Sequence, residues 1–438
     1  MSSRTRSTGN WRDSASNREA VATAVSGAAS PVDARAIWIA SLALVVCAHS
    51  ALPAWTSEAA LRAPDRPGME GDRRLDDFDT LRRRADEART AGRVEEAIEL
   101  YRAAVAMQPS WSEGHWYLGT IYYDADRHRE CQEAFATVVR LEPEHGAAWA
   151  FRGLCEFKLT EYAPALEHLT RANDLGVGDD ASFLAVVGYH RAILLARFEQ
   201  FERALDLDAG FIRGGNTTSE VLEAVGITLL RLPLLPSEVP PEKRELVVLA
   251  GRAGAFAIGM MRDAAEQAFQ QLASKYPDEP NVHYVYGTYL MGDRPAEALE
   301  QFNIELQRSP RHVPARVQIA QELIKQGEFE RASPYATEAA RLGPKNFMAR
   351  RILGQLKLQA GDTSGAIANL EAARALEPTS PSVRYHLARA YQRAGRNDDA
   401  KRERAEFSRL EEVQQRKRGG ASTLGEDSSE AAPQERPY

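Results

Sequence analysis

From about residue 78 onward, apolar side chains recur at three- and four-residue steps, as at Leu356, Ile367, Leu370 and Leu376, the spacing that buries one face of a helix. The helical pattern itself repeats. Prolines fall at 109 and 143 and again at 277, 310, 344 and 378, with steps of 34 in the first group and 33, 34 and 34 in the second. Small residues keep the same beat at Ala97, Cys131 and Ala165, then at Ala265, Ala298, Ala332, Ala366 and Ala400. A second small series runs through Ala85, Gly119, Gly153, Ala253, Gly287, Ala320, Gly354 and Ala388. Four places after most of the first series stands a large apolar residue: Tyr101, Phe135, Leu169, Phe269, Phe302 or Leu370; Ala336 and Arg404 depart from it.

Each recurrence has a mechanical meaning. Between the two small series lie turns such as Ala91-Gly92-Arg93, Gln326-Gly327-Glu328 and Ala360-Gly361-Asp362, where glycine ends a helix in a left-handed cap. Small residues let two antiparallel helices approach closely, and the large residue one turn later fills the gap between neighbouring pairs. Proline closes the second helix because it cannot continue one. The 34-residue period, the segment Trp116 to Glu144 and the segment Tyr385 to Ala400 resemble the tetratricopeptide repeat. That resemblance implies an all-α fold, a right-handed superhelical α-solenoid of antiparallel helix pairs. It covers 78–176 as three units and 246–410 as further units and a capping helix. It says little about function, since such arrays serve many partners.

Residues 177–245 depart from the pattern. Ala165 and Ala265 are 100 residues apart, close to three periods, so about two degenerate units fit between them. Ser219–Leu232 reads as a helix, with Thr217, Thr218 or Ser219 as its cap. Pro233, Pro236, Pro240 and Pro241 then predict an irregular, protruding loop. Outside the array, 1–35 is polar and reads as a disordered extension, 56–77 as a linker and 411–438 as a disordered tail. Segment 36–55 holds an almost wholly apolar run, Ile37–Ala48, preceded by Arg35. A run of about 12 residues suits a signal peptide better than a span of about 20; left uncleaved it would be an anchor. Both alternatives place the array outside the cytoplasm, in the periplasm or on the outer face of the inner membrane.

Composition and charge narrow the function. Apolar residues make up 44 % and charged residues 27 % of 438, so most of the chain should fold. The net charge of −7, with acids and bases interspersed, argues against nucleic acid. Nine histidines are scattered without an HExxH pair, and the sequence contains no GxSxG, P-loop or GxGxxG. No catalytic residue, cofactor or metal is therefore expected, and an enzyme hidden in the middle segment would have little besides His190 to use. Cys131 and Cys155 fall in adjacent units; they read as buried thiols serving as small apolar residues, with a disulfide as the alternative.

What remains is binding. In arrays of the resembled type the first helix of each pair lines a concave groove. The side chains facing away from the packing series are Trp116, Thr120 and Tyr123, then Ala150, Leu154 and Phe157. Tyr284, Thr288 and Met291 follow, then Val317, Gln321 and Ile324, then Arg351, Gln355 and Leu358, and last Tyr385, Arg389 and Gln392. Trp116, Tyr123, Phe157, Tyr284, Met291, Arg351, Gln355, Tyr385 and Arg389 are the candidate partner-binding residues, because large exposed aromatics mark interaction surfaces. Neighbouring units or the middle segment covering them is the competing reading. Arg351 and Arg389 read first as solvated rim charges and second as receivers of an acidic peptide. The expected function is a non-catalytic protein–protein interaction scaffold of the bacterial cell envelope holding a protein or peptide; the alternative is a self-assembling structural repeat protein.

Overall fold

The computed structural model describes residues 69–422, with side chains from 77 to 416. The extension 1–35, the apolar segment 36–55, the linker up to 68 and the tail beyond 422 lie outside them. Among the described residues every regular element is helical. The chain divides into two compact units, the first ending at Leu272 and the second beginning at Ala273.

In the first unit the helices run α1 (Met69–Thr90), α2 (Val94–Met107), α3 (Ser112–Asp124), α4 (His128–Leu141), α5 (Gly146–Lys158), α6 (Tyr162–Leu175), α7 (Ala181–Arg197), α8 (Phe201–Arg213), α9 (Ser219–Leu229), α10 (Arg244–Ile258) and α11 (Arg262–Lys275), the last crossing the division. The second unit holds α12 (Val282–Leu290), α13 (Pro295–Arg308), α14 (Val313–Lys325), α15 (Phe329–Leu342), α16 (Phe347–Gln359), α17 (Thr363–Leu376), α18 (Pro381–Arg393) and α19 (Asn397–Ser422). Helices pair in sequence order, α1 with α2 through α7 with α8 and α12 with α13 through α18 with α19.

The periodic residues do what their spacing predicts. Ala85, Ala97, Cys131, Ala165, Ala298, Ala332, Ala366 and Ala400 have no solvent exposure. The large residue of the second helix sits over the small residue of its own pair: a methyl group on Gly119 would lie 2.6 Å from the Phe135 ring, and one on Gly354 2.6 Å from Leu370. The turns at Gly92, Gly327 and Gly361 hold φ of 70°, 79° and 86°. In the first unit Asp126, Thr160 and Glu199 take the same left-handed turn without glycine, at φ of 56°, 62° and 58°. First helices are entered through side-chain caps at His145, Asp180, His312 and Asn346, each accepting from a backbone N–H three residues on.

Two boundaries differ from the sequence reading. Helix α1 begins at Met69, inside the segment read as linker, and α19 continues to Ser422, past position 410 where the tail was expected. Neither extension needs apolar periodicity. The stretch after Leu410 is rich in Glu, Gln, Arg and Lys, good helix formers, and Arg409–Glu406 and Arg416–Glu412 pair along its surface at 2.6 and 3.8 Å.

In the middle segment the loop expected to protrude does not. The helix pair α7 and α8 is followed by a second pair, α9 and α10, whose two helices are joined by a strap made of two 3₁₀ turns, Pro236–Glu238 and Pro241–Lys243. The prolines keep helix out of the connection, so α9 reaches its partner α10 through the strap. The strap packs down instead of projecting: Leu230, Leu235 and Val239 are 1 %, 2 % and 2 % exposed. Helices α9 and α10 then cross at main-chain contact. A Cβ on Gly226 would lie 1.9 Å from the carbonyl oxygen of Val247, and one on Gly251 1.9 Å from that of Leu222.

Cys131 of α4 and Cys155 of α5 are joined in a disulfide, Cα–Cα 6.2 Å, so the pairing alternative holds and the separate thiols do not. The bond ties consecutive repeats and closes a loop of 24 residues. Constraining such a loop in the unfolded chain stabilises by about 3 kcal/mol in the chain-entropy picture. The double variant Cys131→Ala/Cys155→Ala is expected to unfold at lower denaturant than the oxidised protein. Wild type treated with a reductant should shift the same way, and the variant should not respond to it.

Candidate binding grooves

The repeat fixes where each first-helix side chain points, and the two units present different faces. In the first unit Thr120, Ala150 and Leu154 are 6 %, 0 % and 1 % exposed and belong to the core. Trp116, Tyr123 and Phe157 are half-buried in a ladder of rings. Trp116 meets Phe135 edge-on at 5.4 Å, His145 at 4.9 Å and Phe151 edge-on at 5.6 Å. Tyr123 meets Phe151 at 5.5 Å, and burial together with Asp124 and Asp126 pushes its hydroxyl up to about 12. These aromatics bind one repeat to the next, each worth on the order of 1 kcal/mol beyond the area it buries.

Phe157 is covered from within the chain. It packs, with Tyr162 and Tyr189, against a cluster of Ile193, Ala224 and Leu235, and Leu235 comes from the strap. Glu238 of the strap lies 3.3 Å from Arg197 Nε and accepts from the backbone N–H of Leu235 at 2.9 Å. His190 stands edge-on to Phe157 at 4.7 Å and donates to the Val186 carbonyl at 2.8 Å. Burial holds His190 down at about 4, neutral and shielded rather than poised as a base. Sequence reasoning missed the strap as an occupant of this face; the signal was a Leu-Leu pair bracketed by prolines 233 and 236.

In the second unit Val317 and Leu358 are core, 7 % and 4 % exposed. Tyr284 is half-buried against Phe302 at 5.9 Å and His312 at 4.8 Å, and Met291 is half-buried at the end of the same helix. The last two first helices, α16 and α18, bring Arg351, Gln355, Tyr385 and Arg389 to one face. Arg351 donates to Gln355 Oε1 and to Ser382 Oγ, both at 3.4 Å. Tyr385 is 45 % exposed, rests on Phe407 at 5.9 Å and carries the Arg389 guanidinium 5.6 Å from its ring centre. His386, within reach of both arginines' charge, is 9 % exposed and its Nδ1 has no partner. Burial, then Arg351 and Arg389, hold it at about 4. Ser382 and His386 were not picked out from the sequence, since neither is conspicuous without its neighbours.

Among the described residues no group of three His, Cys, Asp or Glu is placed to hold a metal ion, and no helix is long and apolar enough to cross a membrane. Family models described as tetratricopeptide repeat match residues 82–130, 118–176 and 357–403. A curated relative, the cellulose synthase operon protein C of Xanthomonas axonopodis pv. citri (strain 306), is 30 % identical over 145 residues, 31 % of this chain. The chain spans about a tenth of that relative's length, 10 % of it. Among solved structures, MamA AMB-1 is 19 % identical, covering 38 % of this chain and 98 % of its own, with a TM-score of 0.33. The APC/C hetero-tetramer Cut9–Hcn1 is 15 % identical, covering 76 % and 79 %, with a TM-score of 0.31.

Proposed function

The chain carries tetratricopeptide repeats, and on that premise we propose that it is a non-catalytic scaffold of the bacterial cell envelope that holds a protein segment on the first-helix face of its second unit. The observation that carries the reading is the face of α16 and α18, where Tyr385 and Arg389 stand exposed beside the half-buried Arg351. The corresponding aromatics of the first unit are taken up by neighbouring repeats and the strap. A preformed face of this kind binds with little rearrangement, which limits the ordering cost of association.

Export is part of the proposal. The Cys131–Cys155 disulfide suits an oxidising compartment. The apolar run after Arg35 suits a signal peptide or anchor. Similarity to a cellulose synthase operon protein is in keeping with an envelope setting.

In cells, a photocrosslinking amino acid in place of Tyr385 is expected to capture one discrete partner. The same residue in place of Arg341, on the second helix of its pair, should capture none. Capture of a second copy of the chain would instead make self-assembly the function, and equal capture from both positions would remove the groove from it.

A further inference from the structure

We infer that the strap between α9 and α10 is a lid, and that the apolar floor beneath it takes an extended, proline-interrupted apolar segment of a partner protein, for which Leu235 is the built-in stand-in. The inference concerns the first unit and stands apart from the second-unit face proposed above.

The first observation is slack. Residues 91–93 suffice to join α1 to α2 and 125–127 to join α3 to α4, whereas 230–243 join α9 to α10. The strap is not what holds those two helices together, since they already meet main chain to main chain at Gly226 and Gly251. It can rise without parting them.

The second is how the strap is fastened. From Leu235 to Val239 its hydrogen bonds close on itself. The N–H of Glu238 donates to the Leu235 carbonyl at 2.9 Å, that of Val239 to the Pro236 carbonyl at 3.4 Å, and that of Leu235 to the Glu238 carboxylate at 2.9 Å. Among the described residues none of these bonds runs to α5, α7 or α9. Pro233, Pro236, Pro240 and Pro241 carry no N–H to satisfy. Side chains keep the strap down: Leu235 and Val239 are buried. The Glu238–Arg197 ion pair adds little, because its side chains are 35 % and 38 % exposed.

The third is what lies beneath. Leu235 covers Phe157 of α5, Tyr189 and Ile193 of α7 and Ala224 of α9, so the floor crosses three consecutive helix pairs. A contiguous, ring-rich patch of this kind is an interaction surface once uncovered. The strap shows the shape of what fits. Leu235 and Val239 hold extended backbone, with φ and ψ of −79° and 157° and of −67° and 120°. Prolines beside them keep that form stiff, which lowers the ordering cost of binding. A tethered segment competes at an effective concentration on the order of 1 mM. A free segment therefore reaches the floor only when it binds better than the strap or when the strap is weakened.

Two measurements on the full chain test this. In hydrogen exchange, the Leu235, Glu238 and Val239 amides are expected to exchange at least about tenfold faster than those of 222–228 and 246–252 in α9 and α10. Equal rates would mean that the strap opens only with the pair, and the lid would be lost. A fluorescein-labelled peptide of residues 232–240 then probes the floor by anisotropy. It is expected to bind the Leu235→Ser chain at least about tenfold more tightly than wild type, and Phe157→Ala added to that chain should remove the gain. The same peptide with serine in place of its Leu235 should not bind. Arg197→Gln removes only the ion pair at the rim; it should raise affinity in the same direction and keeps the test valid if Leu235→Ser lowers the unfolding midpoint. Equal binding to wild type and both variants, or binding to none of them, would overturn the inference. A Leu235→Ser chain that dimerises in light scattering and excludes the peptide would make a second copy's strap the occupant, and the partner assignment would fall.

Discussion

Gly226→Ala is expected to destabilise the first unit by about 4 kcal/mol, although alanine is the better helix former by about 1 kcal/mol in an open position. The reason lies in the α9–α10 crossing. The added methyl would lie 1.9 Å from the Val247 carbonyl oxygen, and the reciprocal contact at Gly251 meets the Leu222 carbonyl at the same distance. Overpacking among side chains usually costs about 1–3 kcal/mol because rotamers can yield. Here the obstacle is main chain, so the two helices must part. Parting them strips contacts from Val225 and Val247, both fully buried. Gly210→Ala is the matched control: it too lies within a helix, but nothing stands within 4 Å of its new methyl. It should raise stability slightly. Chemical denaturation of both variants checks the pair; similar midpoints for the two would refute the close crossing.

A second large effect should appear in the pH dependence of stability. Asp208 of α8 is 1 % exposed, and burial raises its carboxyl from an ordinary 3.8 to about 7, against the lowering effect of a hydrogen bond with Thr228. Tyr189 lies near enough to feel its charge, and burial outweighs the Thr228 hydrogen bond. The folded state holds this proton more tightly than the unfolded chain does. Below about 4 both states are protonated and the residue costs nothing. Stability then falls as pH rises towards 7, by about 4 kcal/mol at most, and is level above. Asp208→Asn removes the ionisation, so wild type minus variant should grow more negative from pH 4 to 7 and then flatten. A difference constant across that range would mean Asp208 ionises in the folded protein as it does in water.

The array was legible because its signals are local and repeated. A proline, a small residue and a large residue at fixed offsets specify one helix pair, and the same three recur too often for another fold to satisfy them. The middle was legible only in part. One hundred residues between Ala165 and Ala265 admit two repeats by length, and the four prolines at 233, 236, 240 and 241 replace the short turn between α9 and α10 with the strap. That Leu235 would be buried against Ile193 and Ala224 depends on surfaces assembled from three helices, which no window of sequence contains. The candidate site divides in the same way. The face on which Trp116 and Tyr123 lie follows from helical spacing; that Phe151 of the next repeat would cover them follows from packing between repeats. That Arg351 would lie half-buried against Gln355 and against Ser382 of the next repeat's first helix likewise follows from packing, not from spacing.

The strap also changes how the first unit should come apart. In a simple array each repeat touches only its neighbours, so opening can begin at an end and travel one pair at a time. The cluster holding Leu235 and the rings packed on it run from Phe157 to Leu235, 78 positions of sequence. Helices α5, α7 and α9 share that cluster and cannot fray singly while the strap is seated. They form one cooperative block within an otherwise divisible chain, and it is released only when the strap lifts.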